Sequence, residues 1–585
     1  MTEIKAGGAQ VAAARFKDMG VSESSSDRGE RRAAASGERP QAGPPTPFTV
    51  AITRPQQLEK LAPCCAGCAS GADIRGWIGV VAQHRKLGLS KVQAYSSAWE
   101  IVAAVNPFPA TMGRICPHPC ESQCSRGDKD GAVAINAMER FLGDRALRER
   151  QSLPRLEPVS APESVGVIGA GPAGLSFAYQ MARRGYRVTV YEKEAKPGGM
   201  LYYGIPEYRL PGQVLEAEVG RILDLGVELR LETTVGKNIS VEEIRQFHDV
   251  LFLGIGAAKS IRLRIPGEDG PGAWTGTEYL SRLNRGESVD LGKEVVVVGG
   301  GNTAVDATRA ARRSGARVTM LYRRTRKEMP AIDSEVDDAL AEGVDVVFLA
   351  APVEIKRDGP RVRAVVVQRM QLREPDSSGR GSPVPVTGSE YEIPADSVIA
   401  AVSQEPNWEG LGMLDPGTAW AKADESGSLG DGLWAGGDVK GAGIAGLAIA
   451  QGRQAAEAVH AQLRRLGKRE ATGAAQVSKR AIKADYYREA KPAVPRKRPA
   501  DERLAQPEAE GEETLTEEQF LQEVSRCYSC GSCFGCEHCF TYCNGGGFAR
   551  LKEIMPGAYF AFSLDRCESC GKCIELCPCG FLSPR

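Results

Sequence analysis

The chain has 585 residues, 42% of them hydrophobic and 25% charged, and its 74 basic and 74 acidic side chains cancel to a formal net charge of zero. Length predicts three or four domains, and the balanced charge offers no footing for nucleic acid or a membrane surface. No apolar run approaches the ~20 residues of a membrane span, and the N-terminus lacks the apolar core of a secretory signal, so a cytoplasmic protein with reduced thiols is expected.

Taken in chain order, residues 1–47 are rich in Ala, Gly, Ser, Glu and Arg; they cannot bury a core and are expected to be disordered. Residues 48–160 read as a helical domain, because the stretches starting at Ile74 and Lys91 are amphipathic at helical spacing. Between 161 and 465 strand-like and helical runs alternate, which predicts a parallel α/β architecture. Residues 466–515 are charged and carry Pro492, Pro495, Pro499 and Pro507, the composition of a linker. Residues 516–585 form a small cysteine-dense module. Of the 17 cysteines, six lie from Cys64 to Cys124 and eleven from Cys527 to Cys579, with none in residues 125–526. In a reducing compartment that clustering predicts metal or cluster ligation rather than disulfides.

Two dinucleotide fingerprints stand in the α/β region. In the first, a buried strand Val165–Ile168 runs into Gly169, Gly171 and Gly174, a helix follows, and the second strand ends at Glu192. The three glycines allow the tight turn, the approach of a pyrophosphate and close helix–strand packing, and the acid suits a ribose. In the second, the strand Glu294–Val298 leads to Gly299, Gly301 and Ala304, and the following strand ends in Arg323, Arg324, Arg326 and Lys327 without an acid. Arginines there suit the 2′-phosphate of NADP by charge and bidentate geometry. FAD at the first site and NADPH at the second are the expected pair. These readings divide the α/β region into FAD-binding residues 161–290, NADPH-binding residues 291–394 and a second FAD-binding part, 395–465. Gly437-Asp438, between a short strand and a helix, resembles the second flavin motif of two-dinucleotide flavoproteins.

The C-terminal run Cys567-x2-Cys570-x2-Cys573-x3-Cys577-Pro578 has the bacterial ferredoxin spacing, and Cys533, Cys536, Cys539 and Cys543 repeat it. Because the fourth cysteine of each run ligates the other cluster, Cys533, Cys536, Cys539 and Cys577 are assigned to one [4Fe-4S] cluster, and Cys567, Cys570, Cys573 and Cys543 to a second. Asn544 replaces the usual proline after Cys543. Cys527, Cys530 and Cys579 remain over, as free thiols or alternative ligands. The N-terminal cysteines Cys64, Cys65, Cys68, Cys116, Cys120 and Cys124 are less regular. No acid–base constellation is visible, so no catalytic residue is named; His118 and His538, between cysteines, read as pocket residues.

On "GAGPAG", "KPGGMLYYGIPEYRLP", "GGGNTAVD", "GGDVKGAG" and "NPFPATMGRICPHPCESQC", the chain resembles the small (β) subunit of glutamate synthase. With its fused ferredoxin-type module it is similar to the NAD(P)H:acceptor flavoproteins that accompany 2-oxoacid oxidoreductases or dissimilatory sulfite reductase. The resemblance implies two Rossmann-like domains, an N-terminal α-helical iron–sulfur domain and a C-terminal α+β ferredoxin-like domain at 516–585. It implies FAD held by Gly169, Gly171, Gly174, Glu192, Gly199, Arg209, Gly437 and Asp438, and NADPH held by Gly299, Gly301, Asn302, Thr303, Arg323 and Arg324. It also implies an N-terminal cluster on Cys68, Cys116 and Cys120, with a fourth ligand from Cys64, Cys65, Cys124 or Glu139, the last weighed against a solvated helix glutamate. Gln56 and Glu59 stand where relatives carry further cysteines, so one N-terminal cluster is expected. The implied activity is electron transfer between NADPH, FAD and clusters, to or from a ferredoxin or partner subunit. A glutamate synthase small subunit and a redox-sensing scaffold are the alternatives.

Overall fold

The computed structural model describes residues 53–376, 379–467 and 474–585; the segment expected to be disordered, 1–47, lies outside them.

The first fingerprint seeds a six-stranded sheet. Ser164–Ile168 sits at its centre, flanked by Arg187–Tyr191 and Val250–Leu253; Glu228–Arg230 lies beyond the former, Leu433–Ala435 and Ser428–Gly430 beyond the latter. All pairings but the outermost, Ser428–Gly430 with Leu433–Ala435, are parallel. The central strands are buried apolar runs, as a sheet covered on both faces requires. The second fingerprint seeds a five-stranded sheet of Glu294–Val298, Arg317–Tyr322, Asp345–Phe348, Ser397–Ala400 and Ala273–Thr275, again parallel.

Sheet membership shifts two expected boundaries. Ala273–Thr275 and its following helix, Gly276–Asn284, belong with the second sheet rather than with residues 161–290. Ser397–Ala400 pairs with Glu294–Val298 and so lies in the second domain too, not in a flavin segment starting at 395. A four-stranded antiparallel sheet, Ala350–Asp358, Arg361–Pro375, Gly381–Pro385 and Tyr391–Pro394, is inserted before that strand.

The N-terminal region is helical, with Ile74–Ala82, Lys91–Ala103, Pro109–Ile115 and Ile135–Arg148 as its main elements. Ser90 and Gln93 form a reciprocal cap on the second of these. The helix Glu517–Arg526 completes this domain rather than the C-terminal module: Phe520 stacks on Phe141 at 4.3 Å and shares a core with Trp77 and Tyr95. The two ends of the described chain also meet, Pro55–Gln57 pairing antiparallel with Leu582–Pro584.

The expected linker is not loose where it is described, at 474–515. Its charges find partners: Arg503 bridges Asp338 and Glu342, and Glu510 binds Arg114 and Arg140. Ala493 and Leu515 enter the helical domain's core. Composition gave the solvated reading because it cannot register ion pairs to residues hundreds of positions away. After it come two short helices, His538–Thr541 and Lys572–Leu576, and the hairpin Phe548–Met555/Ala558–Phe562.

Candidate functional site

At the first fingerprint Gly169 has φ +99°, and a Cβ there would meet the Gly254 carbonyl oxygen at 2.5 Å. A Cβ on Gly174 would lie 2.0 Å from the Gly169 oxygen, whereas one on Gly171 would reach only Gly254 O, at 4.0 Å. The turn is therefore closed on its packing side and open where a pyrophosphate would approach, at the start of helix Pro172–Ala182. Glu192 is buried beside it, accepting from the amides of Ala170 at 2.7 Å and Glu194 at 3.0 Å. Burial raises its pKa. Gly199, at φ +55°, faces the same turn, since its Cβ would touch Gly171 Cα at 2.9 Å. Gly437 packs on Ala173 of the same helix, and Asp438 accepts from Gly443 N at 3.1 Å.

Arg209 stands apart from this cradle. It is buried against Asp306 at 2.7 Å and Glu335 at 3.4 Å, on helices Asn302–Arg313 and Asp333–Ala341 of the second domain. The resemblance gave it to the flavin; in the structure its guanidinium pairs with carboxylates of the second α/β domain.

The second fingerprint repeats the first. Gly299 has φ +152° and a Cβ there would meet Ala401 O at 2.3 Å, while Gly301 is open. Asn302 Oδ1 accepts from Ile332 N at 3.0 Å, and a Cβ on Gly276 would meet the Thr303 methyl at 3.1 Å. The arginines divide. Arg324 is buried, bound to Asp376 at 2.6 Å and to the Gly381 carbonyl at 2.8 Å. Arg326 is held by Asp333 and Asp337. Arg323 and Lys327 are exposed, and among the described residues no hydrogen bond or ion pair engages the Arg323 side chain.

The cysteines gather into four groups. Cys533, Cys536, Cys539 and Cys577 ring a small apolar cavity with Phe560 and Phe581. Cys579 also lines it, its thiol 3.9 Å from Cys577 Sγ. Cys573 lies beside Cys570, Cys543 and Cys567, and burial pushes its thiol up to about 11. Cys116 and Cys120 sit with Cys68 and Glu139, whose charges add to the burial that raises both thiols. Glu139 is not a solvated helix residue: it accepts from Asn106 Nδ2 at 2.8 Å, and burial pushes it up to about 7. The fourth group, Cys64, Cys124, Cys527 and Cys530, surrounds a second cavity.

Backbone amides point at sulfurs in several of these loops: Ala72 at Cys68 (3.4 Å), His118 at Cys116 (3.4 Å), Gly547 at Cys543 (3.2 Å) and Leu582 at Cys577 (3.5 Å). Such donors favour the thiolate over the thiol. Among the described residues no three His, Cys, Asp or Glu side chains converge as a mononuclear ion needs. Four donors to a group is the ligand count of an iron–sulfur cube.

The N-terminal helical region is docked on the domain of the six-stranded sheet. Glu218, fully buried on helix Gly212–Leu223, accepts from the amides of Ala110 (2.7 Å) and Thr111 (2.9 Å) at the start of helix Pro109–Ile115. A Cβ on Gly446, next to the Gly437-Asp438 turn, would meet Ala69 and Met112.

The model of the pyridine nucleotide-disulphide oxidoreductases matches residues 163–462, the span of both fingerprints. The chain belongs to this family. A second model, dihydropyrimidine dehydrogenase domain II with a 4Fe-4S cluster, matches residues 57–151; it places a cluster domain at the N-terminal end, and both matched ranges end before Cys527. The glutamate synthase [NADPH] small chain of Azospirillum brasilense is 35% identical over 422 residues, 68% of this chain and 86% of that one. The β subunit of the NADP(+)-dependent formate dehydrogenase of Moorella thermoacetica is 37% identical over 433 residues, 69% of this chain and 60% of that one. The NADPH-Fe(3+) oxidoreductase β subunit of Geobacter sulfurreducens is 38% identical over 372 residues, 62% and 54% of the two chains. The chain thus spans little more than half the length of these last two. Unlike a disulphide oxidoreductase in the literal sense, this family member has no cysteine anywhere in residues 163–462.

Two residues that the spacing left open as free thiols or alternative ligands, Cys527 and Cys530, line one cavity with Cys64 and Cys124. A signal was present: "CYSCG" at 527–531 is echoed by "CESCG" at 567–571.

Proposed function

We propose that this chain is an NADPH-dependent flavin and iron–sulfur oxidoreductase subunit, moving electrons between NADPH, FAD and [4Fe-4S] clusters, to or from a ferredoxin or a partner enzyme. The observation that carries this reading is a pair of open nucleotide cradles with no cysteine between them, in a molecule whose cysteines ring cavities in the flanking modules. A flavin lacking a redox disulfide needs another outlet, and the docked iron–sulfur region supplies one.

FAD is assigned to Gly169, Gly171, Gly174, Glu192, Gly199, Gly437 and Asp438. NADPH is assigned to Gly299, Gly301, Asn302, Thr303 and Arg323, with Lys327 in the place the resemblance gave to Arg324. A flavin supplies the exchange between two-electron hydride chemistry and one-electron carriers. The chain's own residues orient the two nucleotides: the glycines admit the pyrophosphates, Glu192 takes a ribose, and the Arg209–Asp306 bridge fixes one domain against the other. Cys68, Cys116, Cys120 and Glu139 would hold the cluster nearest the flavin domain. The ferredoxin-type module would hold one cluster on Cys533, Cys536, Cys539 and Cys577, and another on Cys567, Cys570, Cys573 and Cys543.

Among the described residues no helix is long and apolar enough to cross a membrane; a cytoplasmic location is part of the proposal. The related chains are named as subunits, and a partner subunit is proposed here. NADPH-dependent reduction of a one-electron viologen dye by the anaerobically purified protein tests the reading; a protein that reduces only two-electron acceptors would defeat it. The glutamate synthase reading is favoured instead if a large amidotransferase subunit co-purifies.

A further inference from the structure

The cavity between the two ends of the chain has a more definite meaning. We infer that Cys64, Cys124, Cys527 and Cys530 hold a further [4Fe-4S] cluster, assembled from two modules more than 400 residues apart in sequence. Gln56 and Glu59 occupy the positions where an N-terminal cysteine pair was missed, and the pair arrives from the other end of the chain instead.

Three observations support this. First, the four cysteines line one cavity, whose remaining wall includes Ile74, Ile78 and Val133. Cys65 is not among the residues lining it; its sulfur accepts from Arg75 N at 3.5 Å and lies 3.7 Å from Asp73 Oδ1.

Second, the Cys527–Cys530 loop is built like a loop of the ferredoxin spacing. Ser529 and Gly531 have φ +53° and +75°; Ser569 and Gly571 have +57° and +70°. In both loops the serine amide points back at the first sulfur, Ser529 at Cys527 (3.5 Å) and Ser569 at Cys567 (3.3 Å). A non-glycine residue in the left-handed region is strained. The same strain at the same position in two loops marks a shared purpose, the presentation of two thiolates to one group.

Third, the two halves are stapled together at the ligands themselves. Arg126, two residues after Cys124 and buried, donates to the carbonyl of Arg526, the residue before Cys527, at 2.6 Å. Arg75 donates to the Cys530 carbonyl at 3.2 Å. Both arginines are among the residues lining the cavity, and each is ion-paired as well, Arg75 with Glu59 and Arg126 with Asp130.

The site also completes a series. Cys64 and Cys68 are four residues apart, as are Cys120 and Cys124, so each pair serves two neighbouring sites. Cys530 and Cys533 do the same toward the C-terminal module, and three residues of extended chain span at most about 11 Å. Tyr487, stacked on Tyr528 at 4.1 Å, lies between these two sites, beside Cys527, Cys530, Cys536 and Cys579. All the cysteines except Cys65 and Cys579, together with Glu139, then supply four donors to each of four clusters in line from the flavin domain to the C-terminus.

The inference rests on the electron-transfer reading only for the kind of group bound, and its test is separate. Full-length protein is purified anaerobically, and iron, acid-labile sulfide and zinc are measured per flavin. Cys527→Ser is expected to lose about four irons and four sulfides per chain, Cys124→Ser the same four, and the double variant no more than either. Cys65→Ala should keep the wild-type content. Unchanged iron in Cys527→Ser, an additive loss in the double variant, or zinc in place of the missing iron would overturn the inference. If the variants come without flavin, alkylation of the native wild-type holoprotein replaces them. Cys64, Cys124, Cys527 and Cys530 should be protected until the iron is removed with an oxidant and chelator and modified afterwards, and alkylation of Cys527 or Cys530 in the holoprotein would refute the site. Flavin bleaching by NADPH, measured on the same samples, reports separately on the nucleotide sites.

Discussion

Arg323 and Arg324 are adjacent in sequence and opposite in fate, which makes them a sharp test of how the nucleotide site is built. Arg323 is exposed and unengaged at the end of its strand, free to meet a 2′-phosphate. Arg324 is buried and already bound to Asp376 and Gly381. Removing one charge-assisted contact to a phosphate costs about 1.5–3 kcal/mol, or roughly 10- to 150-fold. Arg323→Ala should therefore lower kcat/KM for NADPH by that factor, leave NADH nearly unchanged and leave Tm within a degree or two. Arg324→Ala should do the reverse, destabilising the antiparallel insert by about 1–3 kcal/mol with the NADPH/NADH ratio preserved. Steady-state dye reduction with both nucleotides, beside thermal unfolding of each variant, reads all four quantities. The reasoning fails if Arg324→Ala abolishes the NADPH preference at unchanged Tm.

The remaining tests address flavin binding, domain coupling and pH. Gly174→Ala places a methyl 2.0 Å from the Gly169 carbonyl, an overlap that backbone movement must absorb; the protein should purify with markedly less FAD per chain, seen as a lower flavin-to-protein absorbance ratio. Asp306→Ala leaves Arg209 buried and served only by Glu335, and should destabilise the domain pair by about 3 kcal/mol, visible as a lowered Tm. Burial pushes Glu218 up to about 7, against about 4.3 in an unfolded chain. The folded state thus holds a proton that the unfolded state has released between those values, so this group's contribution to stability falls as pH rises from about 4.3 to 7, by about 4 kcal/mol in all. Glu218→Gln should flatten that segment of the Tm–pH profile; parallel profiles would sink the assignment.

Much of the α/β region was legible because local chemistry dictates it. A buried strand running into Gly169, Gly171 and Gly174 has few other solutions, and the acid at 192 lands where the strand ends. The ferredoxin-type spacing likewise allowed Cys533, Cys536, Cys539 and Cys577 to be grouped before their shared cavity was seen. What sequence could not show was long-range. Arg209 sits in a flavin-like motif, yet its partner Asp306 is 97 positions away. Arg323 and Arg324 are chemically identical, and only the position of Asp376 on the inserted sheet separates them. Glu139 read either as a ligand or as a solvated helix residue, because a hydrogen bond to Asn106, 33 positions away, leaves no local trace. Cys527 and Cys530 were surplus to the ferredoxin pattern, and their role depends on helix Glu517–Arg526 packing into the N-terminal core, a contact that hydrophobic periodicity hints at without naming a partner.

The most direct measurement is an anaerobic titration of the purified protein with NADPH, following flavin and iron–sulfur absorbance together. The account predicts that both fall, and that the protein consumes more NADPH than the single equivalent a flavin alone accepts. Bleaching of the flavin at one equivalent, with cluster absorbance unmoved by further NADPH, would contradict it.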